Sequence, residues 1–217
     1  YDEEAGCLGT QSLIDAMREI PVRPRMCIVG EPTEMKVAIG HKGRRAYNAR
    51  FHGKAAHSSL APTAVNAIEH AAELVTRLRA LGLLFMTEGP FDNDYDVPHT
   101  TVHTGVIHGG VQVNIVPALC DVEFEYRHLP EVNADEIEAN LRSWLYDEIE
   151  PSMKKVEGEC GVELETKSVY PGLSTSAEED VVSLCRELAD SGAPVKIAFG
   201  TEAGSFQQGL GVPSVVC

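Results

Sequence analysis

The order of the strands and helices expected between residues 41 and 171 limits the possible folds more than any other feature of the sequence. Residues 44–52 alternate loosely between apolar and polar side chains, which is typical of a half-solvated strand. Pro62 suits the first turn of a helix, apolar residues follow at helical spacing, and Gly82 is expected to end that helix. This segment therefore begins with a strand and a helix.

Two strands, a second helix and a last strand follow. Residues 100–107 are expected to form one strand, and residues 121–128 form another because apolar and charged side chains alternate there. Asn133 begins a helix, with a glutamate three residues later as in a capping box, and a strand over 162–169 follows it. The resulting order matches the ferredoxin-like split unit, an antiparallel sheet with two helices on one face.

Helices and strands of α/β character flank this segment on both sides. Before it, the pattern predicts a helix over 7–18 and short strands at 26–29, a buried one, and at 36–39. After it, the S-x-x-E pattern at Ser176 predicts a capping box at the start of a helix. Two short buried strands are then expected around a glycine-rich turn at Gly200.

The simplest architecture is a larger α/β domain that a small α+β domain interrupts. The expected parts are residues 1–40, 41–171 and 172–217. The chain starts without a methionine and stops inside an apolar run, so we expect it to be a fragment of a longer protein.

The net charge limits the kinds of partner that the protein can bind, and the cysteine pattern indicates its cellular compartment. The formal net charge of -15 argues against nucleic acid or an anionic membrane as a partner, because their phosphates would be repelled. It does not exclude a cationic small molecule. No run approaches the roughly 18 apolar residues of a membrane span. The six cysteines form no C-x-x-C pair, which favours buried, reduced thiols in a cytosolic protein.

Three carboxylates are candidates for chemistry. Glu3 and Glu4 belong to the acidic opening stretch, and in a strand their side chains would point in opposite directions. One could then bind a cation while the other takes a proton from water; the alternative is a solvated acidic pair. Glu31 follows a predicted strand, where open α/β sheets bind ligands, and its alternative is a carboxylate of an ordinary turn.

Three residues of the inserted segment are further candidates. His57 lies among small residues that let a ligand approach, and the alternative is an exposed loop histidine. Asn114 stands inside an apolar stretch expected to be a strand, so its amide needs either a structural partner or a ligand. Arg127 is expected on the polar face of its strand, where it would bind a substrate carboxylate or form an ion pair with Glu123 or Glu125.

The turn around Gly200, Thr201 and Glu202 is the last candidate. Its small residues present backbone N–H groups, as anion-binding turns do. The alternative is an ordinary strand-to-helix turn in which Thr201 caps the helix.

Several stretches along the whole chain resemble, in order, one family, the dinuclear-zinc amidohydrolases that include succinyl-diaminopimelate desuccinylase, carboxypeptidase G and aminoacylase. They are YDEEAGCLG, CIVGEPTEMKVAIGHKG, GKAAHSSLAPTAVNAIE, GGVQVNIVP, EYRHLP, FGTEAG and VPSVVC. The GTEAG turn is similar to that of bacterial members that act on N-acetyl-L-ornithine. The resemblance implies a zinc-peptidase-like α/β catalytic domain, interrupted by a ferredoxin-like lid and dimerisation domain.

The resemblance also implies roles for the carboxylates and the histidine. Glu3 is similar to the family's general base. Glu4 and Glu31 resemble ligands of two zinc ions, for which Co²⁺ is an alternative. His57 resembles a lid histidine that reaches across a dimer to the substrate of the partner.

The remaining candidates resemble residues that contact the substrate. Arg127 and Asn114 are similar to lid residues that hold a substrate carboxylate, and Gly200, Thr201 and Glu202 to a loop that touches the substrate. An acid such as Glu202 would favour a cationic ornithine tail.

For the complete protein, the resemblance implies zinc-dependent hydrolysis of N-acetyl-L-ornithine to L-ornithine and acetate, in cytoplasmic arginine biosynthesis, by a homodimer joined through the lid domain. The nearest alternative is a desuccinylase, a dipeptidase or another N-acyl-amino-acid hydrolase. A dimerisation module without chemistry is an alternative of another class. Because the family's other metal ligands lie outside the chain, we expect this chain alone to bind zinc poorly and to be inactive.

Overall fold

The structure is a computed structural model, and it describes residues 9–217. Its elements are, in chain order, α1 (Thr10–Glu19), β1 (Cys27–Val29), β2 (Ala38–His41), β3 (Gly43–His52), α2 (Ala67–Glu88), β4 (Thr101–Gly109), β5 (Leu119–His128), α3 (Ala134–Ser143), α4 (Glu150–Lys154), β6 (Gly161–Tyr170), β7 (Leu173–Ser174), α5 (Asp180–Leu188), β8 (Val195–Ile197), α6 (Ala203–Leu210) and β9 (Ser214–Val216). A 3-10 helix (Ser58–Thr63) precedes α2, and a π-helical turn (Trp144–Ile149) joins α3 to α4.

Strands β3 to β6 form a four-stranded sheet in the order β4-β5-β3-β6, and every neighbouring pair is antiparallel. Helix α2 and the helical segment from α3 to α4 share one hydrophobic core with this sheet. This is the predicted ferredoxin-like arrangement within an α/β chain, and that prediction is confirmed.

Local sequence explains which face of the four-stranded sheet is covered. On β5 the apolar residues are buried in the core with the helices: Val122, Phe124 and Tyr126. The charged residues that alternate with them lie on the opposite face: Glu123, Glu125 and Arg127. Asn133 caps α3 as expected, since its Oδ1 accepts a hydrogen bond from the backbone nitrogen of Glu136 at 3.2 Å.

Both predicted ends of the long helix α2 were wrong. Pro62 lies in the 3-10 helix, and α2 begins after Asn66, whose Oδ1 accepts hydrogen bonds from the first turn. The helix then continues through Gly82, where a small residue faces Val102 of β4. It ends at Gly89, which has φ of 74°. Tertiary packing therefore outweighs the helix-breaking tendency of Gly82.

The other strands form a mixed sheet in the order β1-β9-β2-β7, with β8 also paired to β2. Val215 packs with α5 on one face, and Val216 packs with Ala203 of α6 on the other. We expected β1 to be buried, but Ile28 is 49% exposed. Within the described chain β1 pairs only with β9, so it is an edge strand.

The capping box predicted at Ser176 is also wrong. Its Oγ accepts a hydrogen bond from the backbone nitrogen of Glu178 at 3.3 Å, within a turn. Helix α5 begins only at Asp180, after Glu179. A short serine turn has therefore replaced the expected cap.

The loop between α2 and β4 contributes to the junction between the two sheets. The ring of Tyr95 lies between two lysines, with the Nζ atoms of Lys42 and Lys196 at 5.7 and 5.6 Å from its centroid. Lys196 also forms an ion pair with Asp92 at 2.6 Å. Lys196 belongs to β8 of the mixed sheet, and Lys42 joins β2 to β3, so charge and aromatic packing both stabilise the junction between the sheets.

Two broad predictions concern thiols and membranes. Every cysteine in the part of the chain that the structure describes is a free thiol, as expected, but only Cys120, Cys160 and Cys185 are buried, whereas Cys27 and Cys217 are partly exposed. Over residues 9–217, no helix is both long and apolar enough to cross a membrane.

Candidate active site

The structure describes one of the three candidate carboxylates, which are the predicted base Glu3 and the predicted metal ligands Glu4 and Glu31. Glu3 and Glu4 lie outside the described residues. Glu31 follows β1, as expected, and its backbone nitrogen donates to the carbonyl of Cys217 at 3.2 Å, just beyond β9. Glu31 therefore stands where two neighbouring parallel strands end.

Residues 9–217 do not fit a zinc site by themselves. They contain no group of three or more histidine, cysteine, aspartate or glutamate side chains arranged to hold a metal ion. Zinc sites in proteins use at least three protein ligands, and Glu31 is the single predicted ligand among the described residues.

Arg127 belongs to a cluster at one end of the four-stranded sheet. Its Nε donates to Glu125 at 2.8 Å, and its Nη1 donates to the hydroxyl of Tyr170 at 2.6 Å. Arg44 donates from Nε to the other oxygen of Glu125 at 2.6 Å. Arg44 lies opposite both Arg127 and Tyr170 in the sheet register. We call Arg44, Glu125, Arg127 and Tyr170 the arginine cluster.

The electrostatics of the arginine cluster leave it with a net positive charge. Burial raises the pKa of Glu125, but the hydrogen bonds and charges of Arg127 and Arg44 outweigh burial and hold that pKa below its ordinary value. Glu125 is therefore ionised at neutral pH and neutralises one of the two guanidinium charges. An anion is the kind of ligand that this cluster attracts.

Tyr170 connects the arginine cluster to the turn at Gly200. A Cβ atom added to Gly200 would lie 2.6 Å from Cζ and 2.7 Å from the hydroxyl oxygen of Tyr170, so the ring lies against the Gly200 backbone. Thr201 is fully buried, and its Oγ1 accepts a hydrogen bond from Ala203 at the start of α6. The structure thus brings Arg127 and the Gly200 turn together.

The Gly200 turn also contacts a histidine that was not among the candidate residues. His41 is fully buried, and its Nε2 accepts a hydrogen bond from the backbone nitrogen of Gly204 at 3.3 Å. Burial lowers the pKa of His41 to about 4, so the ring is neutral near pH 7. Its position at the end of a short apolar strand was the signal for burial.

His57 and Asn114 meet at the opposite end of the sheet. The backbone nitrogen of Ser58 donates to the carbonyl of Asn114 at 3.0 Å, and His57 pairs with Ile115. The Nδ1 of His57 accepts a hydrogen bond from the backbone nitrogen of Ser59, which leaves Nε2 as the proton-bearing nitrogen of the neutral ring.

The expectation of a buried strand around Asn114 is wrong. Asn114 is exposed in the loop between β4 and β5, beside Val113, whose side chain is also exposed. The apolar residues of this stretch lie in a surface loop, and this loop pairs with the loop that contains His57 rather than with a strand of the core.

The two groups of candidate residues are far apart in one chain. Strand β3 pairs with β5 from Gly43 and His128 at one end to His52 and Leu119 at the other. Arg44 and His52 are eight residues apart on β3, which corresponds to about 26 Å at the usual rise per residue of a strand. His57 follows beyond the His52 end, away from the arginine cluster.

A cavity of about 720 Å³ lies elsewhere, between α2 and α3. Its lining is mainly apolar and includes Leu81, Phe85 and Ile137. None of the candidate residues lines it, so its size alone does not make it the active site.

The comparisons with known proteins agree with this fold. Residues 39–153 match the family described as Peptidase dimerisation domain, and the chain belongs to that family. It is 31% identical over 215 residues to an acetylornithine deacetylase of Myxococcus xanthus, covering 99% of this chain and 54% of that protein. An acetylornithine deacetylase of Aliivibrio fischeri (strain MJ11) is 29% identical over 210 residues, covering 95% of this chain and 52% of the relative.

Solved structures show the same fold at lower identity. An aminopeptidase from Bacillus cereus has a TM-score of 0.67 and 23% identity, over 99% of this chain and 53% of the other. A metallo-carboxypeptidase from Sulfolobus solfataricus has a TM-score of 0.69 and 15% identity, over 96% of this chain and 66% of the other. The chain spans about half the length of the curated relatives it matches.

Proposed function

We propose that the whole protein is an amidohydrolase that converts N-acetyl-L-ornithine to L-ornithine and acetate in arginine biosynthesis. One observation carries this proposal: nearly the whole chain aligns, at 31% identity, with an acetylornithine deacetylase. The arginine cluster supports it, because a positive site at the sheet end suits the α-carboxylate of an N-acyl amino acid.

In this proposal the chain's own residues bind and orient the substrate. Arg127 holds the α-carboxylate, the Gly200 turn contacts the substrate beside Tyr170, and Glu202 attracts the ornithine ammonium group. Glu3 is the proposed general base, and His57 with Asn114 contacts substrate bound to a second copy. Each of these roles can be tested by substituting the residue in the whole protein.

Zinc is the proposed cofactor, two ions per complete site, with Glu4 and Glu31 among the ligands and Co²⁺ as the alternative. Elemental analysis of the purified whole protein, before and after dialysis against a chelator, tests this. We expect activity to disappear with the metal and to return with added Zn²⁺. Full activity in metal-free protein would rule out metal dependence.

A substrate panel tests the reaction itself. The whole protein would be assayed with N-acetyl-L-ornithine, N-succinyl-diaminopimelate, a dipeptide and N-acetyl amino acids with neutral side chains. The highest kcat/KM is expected for N-acetyl-L-ornithine, and the Glu3→Gln variant should lose activity. A clear preference for another substrate would reassign the enzyme within its family, and hydrolysis of none would favour a module without chemistry. Rescue of a cytoplasmic arginine-biosynthesis defect would test the pathway.

We also propose that two copies pair through β4. This strand is an edge of the four-stranded sheet, with Val106 and Ile107 each about half exposed. Exposed edges offer unpaired backbone groups, and a symmetric antiparallel pairing would satisfy them. Sedimentation should show a dimer that Ile107→Lys weakens. Val156→Lys, at a similarly exposed valine after α4, is the matched control; equal effects, or a wild-type monomer, would exclude this interface.

A further inference from the structure

The arginine cluster contains more hydrogen-bond donors than it uses. Arg127 has two of its three guanidinium nitrogens engaged, Nε by Glu125 and Nη1 by Tyr170. Arg44 uses only Nε, and the described residues offer its two terminal nitrogens no hydrogen-bond acceptor. The donor pair best able to take a new carboxylate in a two-point contact is therefore on Arg44 rather than on Arg127.

The position of Arg44 places these donors beside Arg127. The two arginines are directly opposite in the β3–β5 register, so their side chains project from the same face of the sheet. Glu125 accepts from both and holds them side by side. All three side chains are partly buried, with 29% of Arg44, 28% of Arg127 and 24% of Glu125 exposed. A bound anion would thus meet donors that are only partly hydrated.

An arginine on the same strand shows what an ordinary ion pair looks like in this sheet. Arg50 donates to Asp121 from Nε at 2.8 Å and from Nη2 at 3.4 Å. That ion pair joins one cation to one carboxylate, and the negative charges of Glu163 and Glu165 also act on Arg50. The arginine cluster instead has two cations for one carboxylate, with one charge left over. A structural ion pair does not require the second arginine.

We propose that Arg44 is a second carboxylate-binding residue, which takes the α-carboxylate of the N-acyl amino acid together with Arg127. This inference rests on the proposed amidohydrolase function. Glu125 and Tyr170 are positioning residues in it, because they fix the two guanidinium groups without touching the substrate. The substrate class is a monoanionic carboxylate, since the cluster has one uncompensated positive charge.

The test compares two substrates in the whole protein: N-acetyl-L-ornithine and its α-carboxamide, which lacks the negative charge. Arg44→Met keeps the length of the side chain and removes the donors, and Arg50→Met is the matched control on the same strand and face. We expect Arg44→Met to raise KM for the carboxylate substrate by about 10- to 100-fold, because a hydrogen bond to a charged group contributes about 1.5–3 kcal/mol. KM for the carboxamide, and kcat for both substrates, should stay within about twofold.

Two further variants separate binding from folding. Arg44→Lys keeps the charge but loses the two-point contact, so part of the KM increase should remain. Thermal unfolding of Arg44→Met should match that of Arg50→Met, which would exclude loss of folded protein as the cause.

The outcomes are distinct. If wild type hydrolyses the carboxylate substrate and Arg44→Met leaves its KM unchanged, or raises KM equally for the carboxamide, the assignment of Arg44 is overturned while the proposed function stands. If wild type hydrolyses neither substrate, the proposed function fails and this assignment fails with it. A KM increase with Arg50→Met as large as that with Arg44→Met would also overturn the assignment.

Discussion

Replacing Gly200 with alanine should expose how tightly the Gly200 turn is packed against the end of β6. The new methyl group would stand 2.6 Å from Cζ of Tyr170 and 2.7 Å from its hydroxyl oxygen. Normal carbon contacts are about 3.5 Å, so the ring or the turn must shift by at least about 1 Å. The hydroxyl group of Tyr170 accepts the hydrogen bond from Arg127, so the shift also disturbs the arginine cluster.

The cost of Gly200→Ala follows from overpacking. Tyr170 is only 6% exposed and has little room to move, and forced shifts in packed sites cost about 1–3 kcal/mol. In a Tyr170→Val background the distal ring atoms are gone. In that background Gly200→Ala should be neutral or stabilising by about 0.4–1 kcal/mol, because Gly200 does not adopt a positive φ and alanine fits its backbone conformation.

Urea unfolding of the four proteins in this double-mutant cycle measures the coupling. Gly192→Ala is the control, because nothing lies within 4 Å of an added methyl group there. We expect a coupling of about 1–3 kcal/mol between positions 170 and 200 and no loss for the control. If Gly200→Ala costs the same with and without the Tyr170 ring, the packing of the ring on the turn is refuted.

Two further predictions concern pH and the junction between the sheets. Burial holds the pKa of His41 near 4, below its ordinary 6.5, so the unfolded chain binds the proton first and stability falls as pH drops from about 6.5 to 4. The loss is about 3 kcal/mol, and urea midpoints across this range should show a flatter profile in His41→Gln. Lys196→Met removes the ion pair with Asp92 and should cost about 1.5–3 kcal/mol. Thermal unfolding should show this loss against Lys167→Met, an exposed pair whose removal costs little.

The four-stranded sheet could be predicted because its signals are local. The alternation on β5 determines which face meets the helices, and the side chain of Asn133 caps α3 within three residues. These patterns require no knowledge of distant parts of the chain. The ends of α2 escaped prediction because they depend on contacts across the fold, such as Gly82 facing Val102.

The composition of the arginine cluster could be predicted from the sequence only in part. Arg127 was a candidate by itself, and the ion pair with Glu125 was its stated alternative. Arg44 and Tyr170 join it through the register of three strands, and register depends on pairings more than 40 residues apart along the chain. The same limit explains why the surroundings of Asn114 were predicted wrongly. An apolar stretch in a paired surface loop has the same composition as a buried strand.

The length of β3 constrains how the candidate residues can cooperate. Arg127 lies at one end of the β3–β5 pair, His57 lies beyond the other end, and the two ends are about 26 Å apart. If both residues contact one N-acyl amino acid, they therefore cannot do so within one chain. A second copy removes the conflict if a symmetric interface carries the His57 loop of one chain to the arginine cluster of the other. The exposed edge of β4 belongs to the same sheet, and pairing there would hold both loops in fixed register. Loss of the dimer should then abolish hydrolysis even though the arginine cluster of each chain is intact.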